Sequence, residues 1–566
     1  MPNQSQRASN HGASSSTFER YLLPGAIISA AAIGIVMAIG APVNGDDASF
    51  HLHWIRAFYD LLREGVWLPK WVPDGFHGFG APTFYFYPPL TYYVSSLVVW
   101  TTSLQRPETV FNVVGLISTV ASGASCFYLL RRLDATQWNA FLGSLFYAFA
   151  PYRQFDLYSR SSLSQPMGFV FLPLILAGCI GVVQSQQVRI GLGRYTPSLL
   201  LTIGWAGLLL SAFPLSVAAG MTLLVLWFAF RKVVKREHVI RIGESVLLGM
   251  GLVAFQYLPS LHFMKFTQVN TYLNIPDGNW VPALLHGTQV RFVVQDMLIY
   301  FSQIALLIWY WRSYGRTAAP LVSRGIIIVL AFWVIIATPY LSSPLWNYVP
   351  VFHLLRFHAR FSIFVVLTLA VLGFSSGEIE LFWNSFARRI ISAWSIIAIL
   401  LSVTVIFRIQ AHSHETSLWM DPPEYLPANT VPAKFAMDSL FLPHINDPLF
   451  VNFPSFTSTE SVQLIRKSSR NMECLVSVEA PHRMTFHQFV WPEWKCILDG
   501  QETIPQTDSI GRMVILLKPG RYPILLQLVT SIAEQIGNWI SSVSFVLLIV
   551  FGIKSAKREK HCLVQE

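Results

Sequence analysis

Long uninterrupted apolar runs dominate the hydrophobic pattern of this chain. A helix needs about 20 consecutive apolar residues to cross a bilayer, and most of the runs approach or reach that length. The run 138–151 is short, and we count it as a helix that extends beyond both of its ends. The pattern therefore predicts an all-α polytopic membrane protein with about twelve transmembrane helices, at 22–42, 109–130, 138–151, 164–184, 196–212, 217–230, 242–258, 295–311, 323–341, 361–377, 388–407 and 536–553.

A further run, 89–104, is ambiguous because Thr, Tyr and Ser side chains interrupt it. If this run does not span, the basic clusters 131–132, 189–194, 231–241, 312–324, 388–389 and 554–560 all face the same side as the N-terminus. Cytoplasmic loops collect Lys and Arg, so this arrangement is the favoured one. We therefore expect 89–104 to be an amphipathic helix in a long outer loop, with both termini cytoplasmic.

The same pattern predicts the domain organisation. Between the last two apolar runs lie short alternating strands separated by turn signals such as Asp499-Gly500 and Pro519-Gly520, which is typical of a small β-sandwich or jelly roll. The run 22–42 is longer than the usual apolar core of a cleaved signal peptide, so an uncleaved first helix is favoured over that alternative. The predicted parts are a cytoplasmic tail 1–21, a transmembrane domain 22–408 with the outer loop 43–108, an extracytoplasmic β-rich domain 409–535, a last helix 536–554 and a cytoplasmic tail 555–566.

Composition agrees with a membrane protein. Only 12% of the residues are charged, about half the share that is usual in soluble proteins. The net charge of +10 follows from cytoplasmic Lys and Arg, and the sequence contains no nucleic-acid motif, phosphate-binding glycine loop or CxxC pair. Nucleic acid is therefore not an expected partner. Cys474 and Cys496 both fall in the β-rich domain, where a disulfide between them is open if that domain faces an oxidising compartment.

The start of the outer loop carries the first candidate chemistry. Asp46 and Asp47 follow the first apolar run, and His51 comes four residues after Asp47, which places the two on one face of a helix. A carboxylate here can act as a general base or hold a divalent cation. Alternatively, one of the acids only caps the helix that follows.

Two groups of arginines run against the expected charge bias of the outer side. Arg153, Asp156 and Arg160 lie between two apolar runs, and Arg356 and Arg360 precede another. Guanidinium groups suit the binding of a lipid phosphate. The alternatives are an i,i+4 pair between Asp156 and Arg160 and snorkelling of the arginines to outer-leaflet headgroups.

The segment 69–90 is rich in aromatic residues, Gly and Pro, with Trp71 and Tyr87 as its candidate binding residues. Trp and Tyr are enriched at the membrane interface, so this segment is either an interfacial anchor or the wall of a groove for a lipid-linked substrate. The stretch 491–495 of the β-rich domain, with Trp491 and Trp494, is either a sugar-stacking surface or the edge of a packed core.

These segments together resemble the bacterial "6-pyruvoyl-tetrahydropterin synthase-related" membrane proteins, which are similar to YfhO-like proteins and to GT-C glycosyltransferases. The three-His zinc set of pterin chemistry is not apparent, so the first name carries no function. The resemblance implies an outer loop with two membrane-parallel helices, a catalytic acid at its start, matched here by Asp47 with Asp46 beside it, and a polyprenyl-phosphate sugar as donor. The residues that carry it are Asp47-x-x-x-His51, Pro69-x-Trp71-x-Pro73, Gly78-x-Gly80-x-Pro82, 86–93, Asp156-Leu157-Tyr158-x-Arg160, Arg356-Phe357-x-x-Arg360-Phe361 and 489–500.

The expected activity is an inverting sugar transfer at the outer face of the membrane. Asp47, assisted by Asp46 or His51, would deprotonate or orient the acceptor hydroxyl. A divalent cation, Mg²⁺ or Mn²⁺, bound at Asp47 is a further option. The residues expected to bind the substrate are Arg160, Arg153, Asp156, Arg356, Arg360, Tyr87 and Trp71.

The expected partners are the lipid bilayer, a polyprenyl-phosphate-linked sugar, and a glycan, lipid or protein acceptor. The expected location is a bacterial inner membrane. A lipid-linked glycan transporter or flippase is an alternative, although such proteins usually carry ionisable residues within their helices. A non-catalytic membrane assembly protein of the same fold is the third possibility.

Overall fold

A computed structural model describes residues 47–184, 198–269, 321–338, 358–375, 450–453 and 461–563, with isolated positions within 43–45, 342–355 and 422–428. The predicted spans 22–42, 295–311 and 388–407 lie outside these residues. Within the described part, the helices of ten or more residues are α1 Ala48–Arg63, α2 Leu90–Thr102, α3 Pro107–Arg132, α4 Gln137–Ala148, α5 Phe171–Gln184, α6 Leu199–Leu209, α7 Phe213–Phe230, α8 Arg236–Leu252, α9 Ala254–Phe263, α10 Leu321–Ala337, α11 Ser362–Phe374 and α12 Ile532–Leu563.

Several of these helices are suited to a membrane. Four stretches of the described residues are long and apolar enough to cross one: α3, the stretch Ser164–Gln184 that contains α5, α7, and Ile532–Lys554 within α12. Three shorter apolar helices are Leu199–Leu209, Gly325–Ala337 and Ser362–Phe374. The expectation of a multi-pass membrane protein is supported, whereas the number of twelve spans stays a prediction.

The predicted single span 242–258 is bent. Helices α8 and α9 meet at Val253 with an angle of 70° between them, and Pro259 lies inside α9. Such a break frees backbone groups that must find partners in an apolar surrounding. Ser541 of α12 supplies them: its Oγ accepts a hydrogen bond from the Phe255 N–H at 2.9 Å and donates one to the Gly251 carbonyl at 3.1 Å.

The bend directs α9 toward the outer loop, where Gln256 connects several backbone carbonyls. Its amide nitrogen lies 2.9 Å from the Phe84 carbonyl oxygen, 3.1 Å from that of Tyr85 and 3.4 Å from that of Tyr87. Its amide oxygen accepts a hydrogen bond from the buried Lys70 ammonium at 2.5 Å. This side chain therefore helps to fix the loop that follows α1 onto the helical domain.

The run 89–104 forms the 13-residue helix α2, which is too short to cross a bilayer. Its polar side chains Thr91, Ser95 and Ser96 are buried, whereas Leu97 and Trp100 are 56% and 73% exposed. A helix that turns its polar face inward and its apolar face outward is suited to contact with lipid rather than with water.

The C-terminal part contains the predicted β domain. The described strands are β1 Phe450–Phe453, β2 Ser461–Lys467, β3 Asn471–Val478, β4 His482–Phe489, β5 Trp494–Leu498, β6 Gln501–Thr503, β7 Gln506–Thr507, β8 Arg512–Leu517 and β9 Gly520–Leu528. They form two antiparallel sheets, with orders β1-β4-β8-β7 and β2-β3-β9-β5-β6, and buried side chains of both sheets share one core.

The disulfide that the sequence left open is absent. Cys474 and Cys496 are both free, buried thiols. They lie on β3 and β5, and β9 runs between those strands, pairing Cys474 with Ile524 and Cys496 with Leu526. Both cysteines therefore serve as small apolar core residues.

The β domain packs directly on the outer loop. The Phe489 N–H donates to the Phe79 carbonyl at 2.7 Å, and the His487 ring stacks on the Phe79 ring with centroids 4.0 Å apart. The loop reaches this position through an uncommon turn in which Phe76 and His77 have φ values of 47° and 60°. Non-glycine residues rarely adopt positive φ, so the contact with the β domain helps to hold a strained turn.

Candidate active site

Asp47 occupies the N-cap position of α1, but it does not cap the helix, because its side chain makes no capping hydrogen bond. Its carboxylate instead pairs with Arg160, with 2.8 Å between Oδ2 and Nη2. The backbones pair as well, since the Asp47 N–H donates to the Arg160 carbonyl at 2.9 Å. The start of α1 is thus fastened to the segment that carries the outer arginine.

Arg160 also reaches a second carboxylate. Its Nη1 lies 3.3 Å from Oδ1 of Asp156. Asp156 lies within a short π-helical turn at Phe155–Ser159, and Arg160 directly follows that turn. Single π turns interrupt α-helices frequently at functional sites. The i,i+4 pair that the sequence suggested is present, and Arg160 uses its second nitrogen to join Asp156 to Asp47.

The two carboxylates have different surroundings. The side chains of Asp47 and Arg160 are 25% and 21% exposed, whereas that of Asp156 is fully buried. Burial raises the pKa of Asp156 to about 7, against the opposing charges of Arg160 and Arg360. The other oxygen of Asp156, Oδ2, has no hydrogen-bond partner among the described residues. The site therefore combines one accessible carboxylate with one sealed carboxyl group that can hold a proton near neutral pH.

Burial on its own would lower the pKa of Arg160, but Asp47 and Asp156 outweigh it and raise that pKa above its ordinary value. Arg160 therefore stays cationic at every accessible pH. With one face toward each acid, it fixes the distance between their carboxylates.

His51 lies one turn after Asp47, but its ring points into the protein. The ring is 1% exposed; Nδ1 lies 2.8 Å from the Tyr92 hydroxyl and Nε2 accepts the Leu163 N–H at 3.3 Å. Burial lowers the pKa of His51 to about 4, so the ring is neutral. Because Nε2 is an acceptor, the ring proton is on Nδ1. His51 therefore holds the floor of the site and contacts Asp47 through the backbone.

Tyr87 stands beside this floor. Its hydroxyl is 3.5 Å from His51 Nε2, and its ring packs on Trp54 with centroids 4.6 Å apart. Tyr87 is half-buried and is close enough for its hydroxyl to interact electrostatically with Asp47 and Arg160. The expected substrate residue Tyr87 thus borders the acidic pair.

The structure places Arg153 elsewhere. Its guanidinium is fully buried and donates to Ser122 Oγ at 2.8 Å and Ser118 Oγ at 2.9 Å, both on α3. It also lies over the Phe169 ring at 5.5 Å. Arg153 therefore anchors the 151–160 segment to the helical domain rather than facing a ligand.

Trp71 also lies apart from the acidic pair. It is 2% exposed and packs against Trp491 and Trp494, with centroid distances of 5.8 and 6.1 Å. Trp491 and Trp494 are themselves buried. For this stretch the packed core edge, rather than a sugar-stacking surface, is the arrangement that the structure shows.

The remaining candidates are only partly described. Arg360 is 7% exposed, and its charge acts on the carboxyl of Asp156, so it belongs to the same group. Asp46 and Arg356 lie outside the described residues. Sequence reasoning did not assign Tyr92, the partner of His51, to the site, although Tyr92 lies in the motif 86–93.

The described residues do not fit the expected divalent-cation site. Carboxylate oxygens are the donors that Mg²⁺ and Mn²⁺ prefer, but Arg160 already stands between Asp47 and Asp156 with a nitrogen on each. Within the described ranges no group of three or more His, Cys, Asp or Glu side chains could hold a metal ion. The positive charge at this position is supplied by the guanidinium.

No protein-family model matches this sequence. An uncharacterized protein of Lactococcus lactis subsp. cremoris (strain MG1363) is 25% identical over 233 residues, which cover 39% of this chain and 36% of the relative. The match thus spans little more than a third of that protein.

Among solved structures, the chain is similar to glycosyltransferases. The arabinofuranosyltransferase AftD from Mycobacteria superposes with a TM-score of 0.42 at 13% identity, over 68% of this chain and 28% of AftD. The oligosaccharyltransferase of Archaeoglobus fulgidus gives 0.39 at 14% identity, over 70% and 57% of the two chains. ArnT from Cupriavidus metallidurans, bound to undecaprenyl phosphate, gives 0.27 at 12% identity, over 62% and 78%. TM-scores below 0.5 do not establish a shared fold.

Proposed function

We propose that this chain is a membrane glycosyltransferase that moves a sugar from a polyprenyl-phosphate donor to a glycan, lipid or protein acceptor at the outer face of the membrane. One observation carries the proposal: Arg160 holds the accessible carboxylate of Asp47 at 2.8 Å and the buried one of Asp156 at 3.3 Å. A base and a phosphate-binding cation therefore lie side by side, at the start of the outer loop.

The reaction uses this pair by exchange of partners. When the donor phosphate binds, one nitrogen of Arg160 breaks its contact with Asp47 and donates a hydrogen bond to a phosphate oxygen instead. The guanidinium fork is well suited to bind a phosphate. Asp47 is then free to accept the proton of the acceptor hydroxyl. The hydroxyl oxygen forms a bond to the anomeric carbon from the face opposite the phosphate, while the bond from that carbon to the phosphate oxygen breaks and the phosphate leaves with the electron pair. Attack from the opposite face inverts the anomeric centre.

Asp156 keeps Arg160 in place during this exchange. Because it is fully buried, it cannot reach an acceptor, but its Oδ1 still accepts from the second guanidinium nitrogen when the first is on phosphate. The buried Arg360 adds a second cation to the same group, and the extra positive charge stabilises the leaving phosphate.

A transporter or flippase would also bind a lipid phosphate, and an assembly protein could keep the fold without the activity. The accessible pair Asp47–Arg160 lies on the connecting segments at the ends of helices and not within a span, unlike the usual arrangement in transporters. Moreover, a carboxylate next to the arginine that binds the phosphate repels the phosphate and weakens its binding. Such a carboxylate is useful when the reaction needs a group that accepts a proton. The enzyme is therefore the favoured candidate.

The test is the substitution Asp47→Asn, with Asp134→Asn as a matched control. Asp134 is exposed, and its φ of 55° is one that Asn tolerates well. Membranes containing each variant are incubated with radiolabelled polyprenyl-phosphate sugars, and transfer of the label is measured. Loss of a general base costs about 10²- to 10⁴-fold, so we expect that loss in D47N and none in D134N, with equal protein in the membrane fraction.

Full transfer activity in D47N would contradict the assigned base. Transport of the lipid-linked sugar without transfer, unaffected by D47N, would favour the flippase instead.

A further inference from the structure

A cleft on the other end of α1 is separate from the acidic pair. It has a volume of about 410 Å³, and its polar lining consists of Arg56, Tyr59, Asp60, Arg63 and Gln105. Twelve residues of helix separate Asp47 from Tyr59, which corresponds to about 18 Å. One phosphate cannot bridge both places, so an anion bound in this cleft would be separate from one bound at Arg160.

The cleft carries excess positive charge. Its lining contains two arginines, Arg56 and Arg63, but only one carboxylate, that of Asp60. The contact between Arg56 Nε and Asp60 Oδ2 is long, at 3.8 Å, and the side chains of Arg56 and Asp60 are 79% and 53% exposed. Such an exposed pair contributes little. Arg63 lies over the Tyr59 ring, 5.9 Å from its centroid, so its guanidinium is oriented by the aromatic face rather than by an acid.

The position of the cleft relative to the membrane follows from its remaining lining. Pro107, which lines it, is the first residue of α3, and α3 is long and apolar enough to span. The opposite end of α3 carries Arg131 and Arg132. The cleft therefore lies at one end of a transmembrane helix, at the depth of lipid headgroups.

The surface beside the cleft is apolar. Its floor includes Ile55 and Val99, and α2, which carries Val99, presents Leu97 and Trp100 with 56% and 73% exposure. Trp67 is 66% exposed, and its carbonyl accepts the Tyr93 hydroxyl of α2 at 2.6 Å. Tryptophan is enriched at the level of the headgroups, so the open side of the cleft is bordered by a lipid-contacting surface.

We propose that this cleft binds the phosphate headgroup of an anionic phospholipid. Arg56 and Arg63 hold the phosphate oxygens, Tyr59 and Gln105 offer hydrogen bonds to it, and the acyl chains lie along the apolar face of α2. The net charge of +1 from two arginines and one aspartate selects a lipid of net charge −1 over a zwitterionic one. The bound lipid would hold α1, and with it the start of the outer loop, against the membrane surface.

The experiment measures bound lipid by native mass spectrometry of the full chain in detergent, titrated with phosphatidylglycerol or with phosphatidylethanolamine. The variant is Arg56→Gln combined with Arg63→Gln. The control is Arg483→Gln combined with Arg521→Gln, which removes the same charge from two exposed positions of the β domain. A third titration uses sn-glycerol 1-phosphate, which offers the phosphate without acyl chains.

For the unaltered protein we expect tighter binding of phosphatidylglycerol than of phosphatidylethanolamine. The double variant should lose about tenfold or more of the phosphatidylglycerol affinity, R63Q alone should lose a few-fold, and the control should lose none. Glycerol phosphate should fail to compete. Melting curves of all variants should coincide, since the altered side chains are on the surface.

Equal retention of phosphatidylglycerol by the double variant would overturn the site, and equal binding of both lipids would overturn its charge selectivity. Competition by glycerol phosphate at the same concentration would identify a site for a soluble phosphate ester instead of a lipid. No turnover is needed, so these outcomes are independent of sugar transfer.

Discussion

The buried carboxyl group of Asp156 should make the free energy of unfolding depend on pH. Its pKa is raised from 3.8 to about 7, chiefly by burial, whereas in the unfolded chain it returns to its ordinary value. Between these two values the folded state binds a proton that the unfolded state does not, so stability falls as pH rises. From pH 5 to pH 8 the loss is about 3 kcal/mol, at about 1.4 kcal/mol per pH unit up to the folded pKa near 7, and above pH 8 it changes little.

Replacing Asp156 by Asn removes this titration while leaving an amide oxygen that can still accept from Arg160. We therefore expect the free energy of unfolding of D156N, measured by SDS titration in mixed micelles, to depend less on pH between 5 and 8 than that of the unaltered protein, by about 3 kcal/mol. Arg160, Arg360, Arg153 and Asp47 are the charged groups that act on Asp156, and all remain in the variant.

The matched control is Asp499→Asn, in an exposed turn where φ is 49° and Asn is equally suited. It should follow the pH dependence of the unaltered protein. If D156N and the unaltered protein gave parallel stability curves from pH 5 to 8, the reasoning about the buried carboxyl group would be refuted.

Two further substitutions test the supports of the site and of the bend. Tyr92→Phe removes the hydroxyl beside His51 Nδ1 and leaves a buried donor unpaired, so we expect a loss of about 1–3 kcal/mol in the free energy of unfolding; a loss below 0.5 kcal/mol would show that another group takes over. Ser541→Ala removes two hydrogen bonds at the break between α8 and α9, and we expect a loss of about 1–2 kcal/mol in the same titration, with Ser542→Ala, whose side chain bonds within its own helix, losing less.

From the sequence, the expected sidedness grouped Asp47 with several arginines, Arg160 among them, on one side of the membrane. It did not single out Arg160, 113 positions away, as the partner of Asp47. The i,i+4 spacing of Asp156 and Arg160 was also visible. The sequence did not show that Arg160 uses one nitrogen for each acid. This arrangement involves a π turn, whose extra residue per turn leaves no mark in the hydrophobic pattern.

Other features depended on contacts between distant parts of the chain. Arg153 lies in the same short segment as Arg160 and has the same side chain. Its guanidinium is nevertheless buried and donates hydrogen bonds to hydroxyl groups of α3. The bend at Val253 could not be foreseen because no proline or polar cluster marks that point of the run 242–258; the hydrogen bonds that stabilise the bend come from Ser541, nearly 300 positions away. The carbonyl contacts of Gln256 follow from that bend and could not be foreseen without it.

The contact between the outer loop and the β domain has a consequence for the order in which the protein is made. His487 of the domain meets the His77 carbonyl across 410 positions of sequence. At about 5–20 residues per second, a ribosome takes roughly 20–80 seconds between synthesising the first partner and the second. During that interval the strained turn at 76–78 lacks its contacts with the β domain, so the loop reaches its final structure only after the last quarter of the polypeptide has been made. A truncation that stops before the final strands would leave an inserted but unfinished molecule, exposed to quality-control proteases.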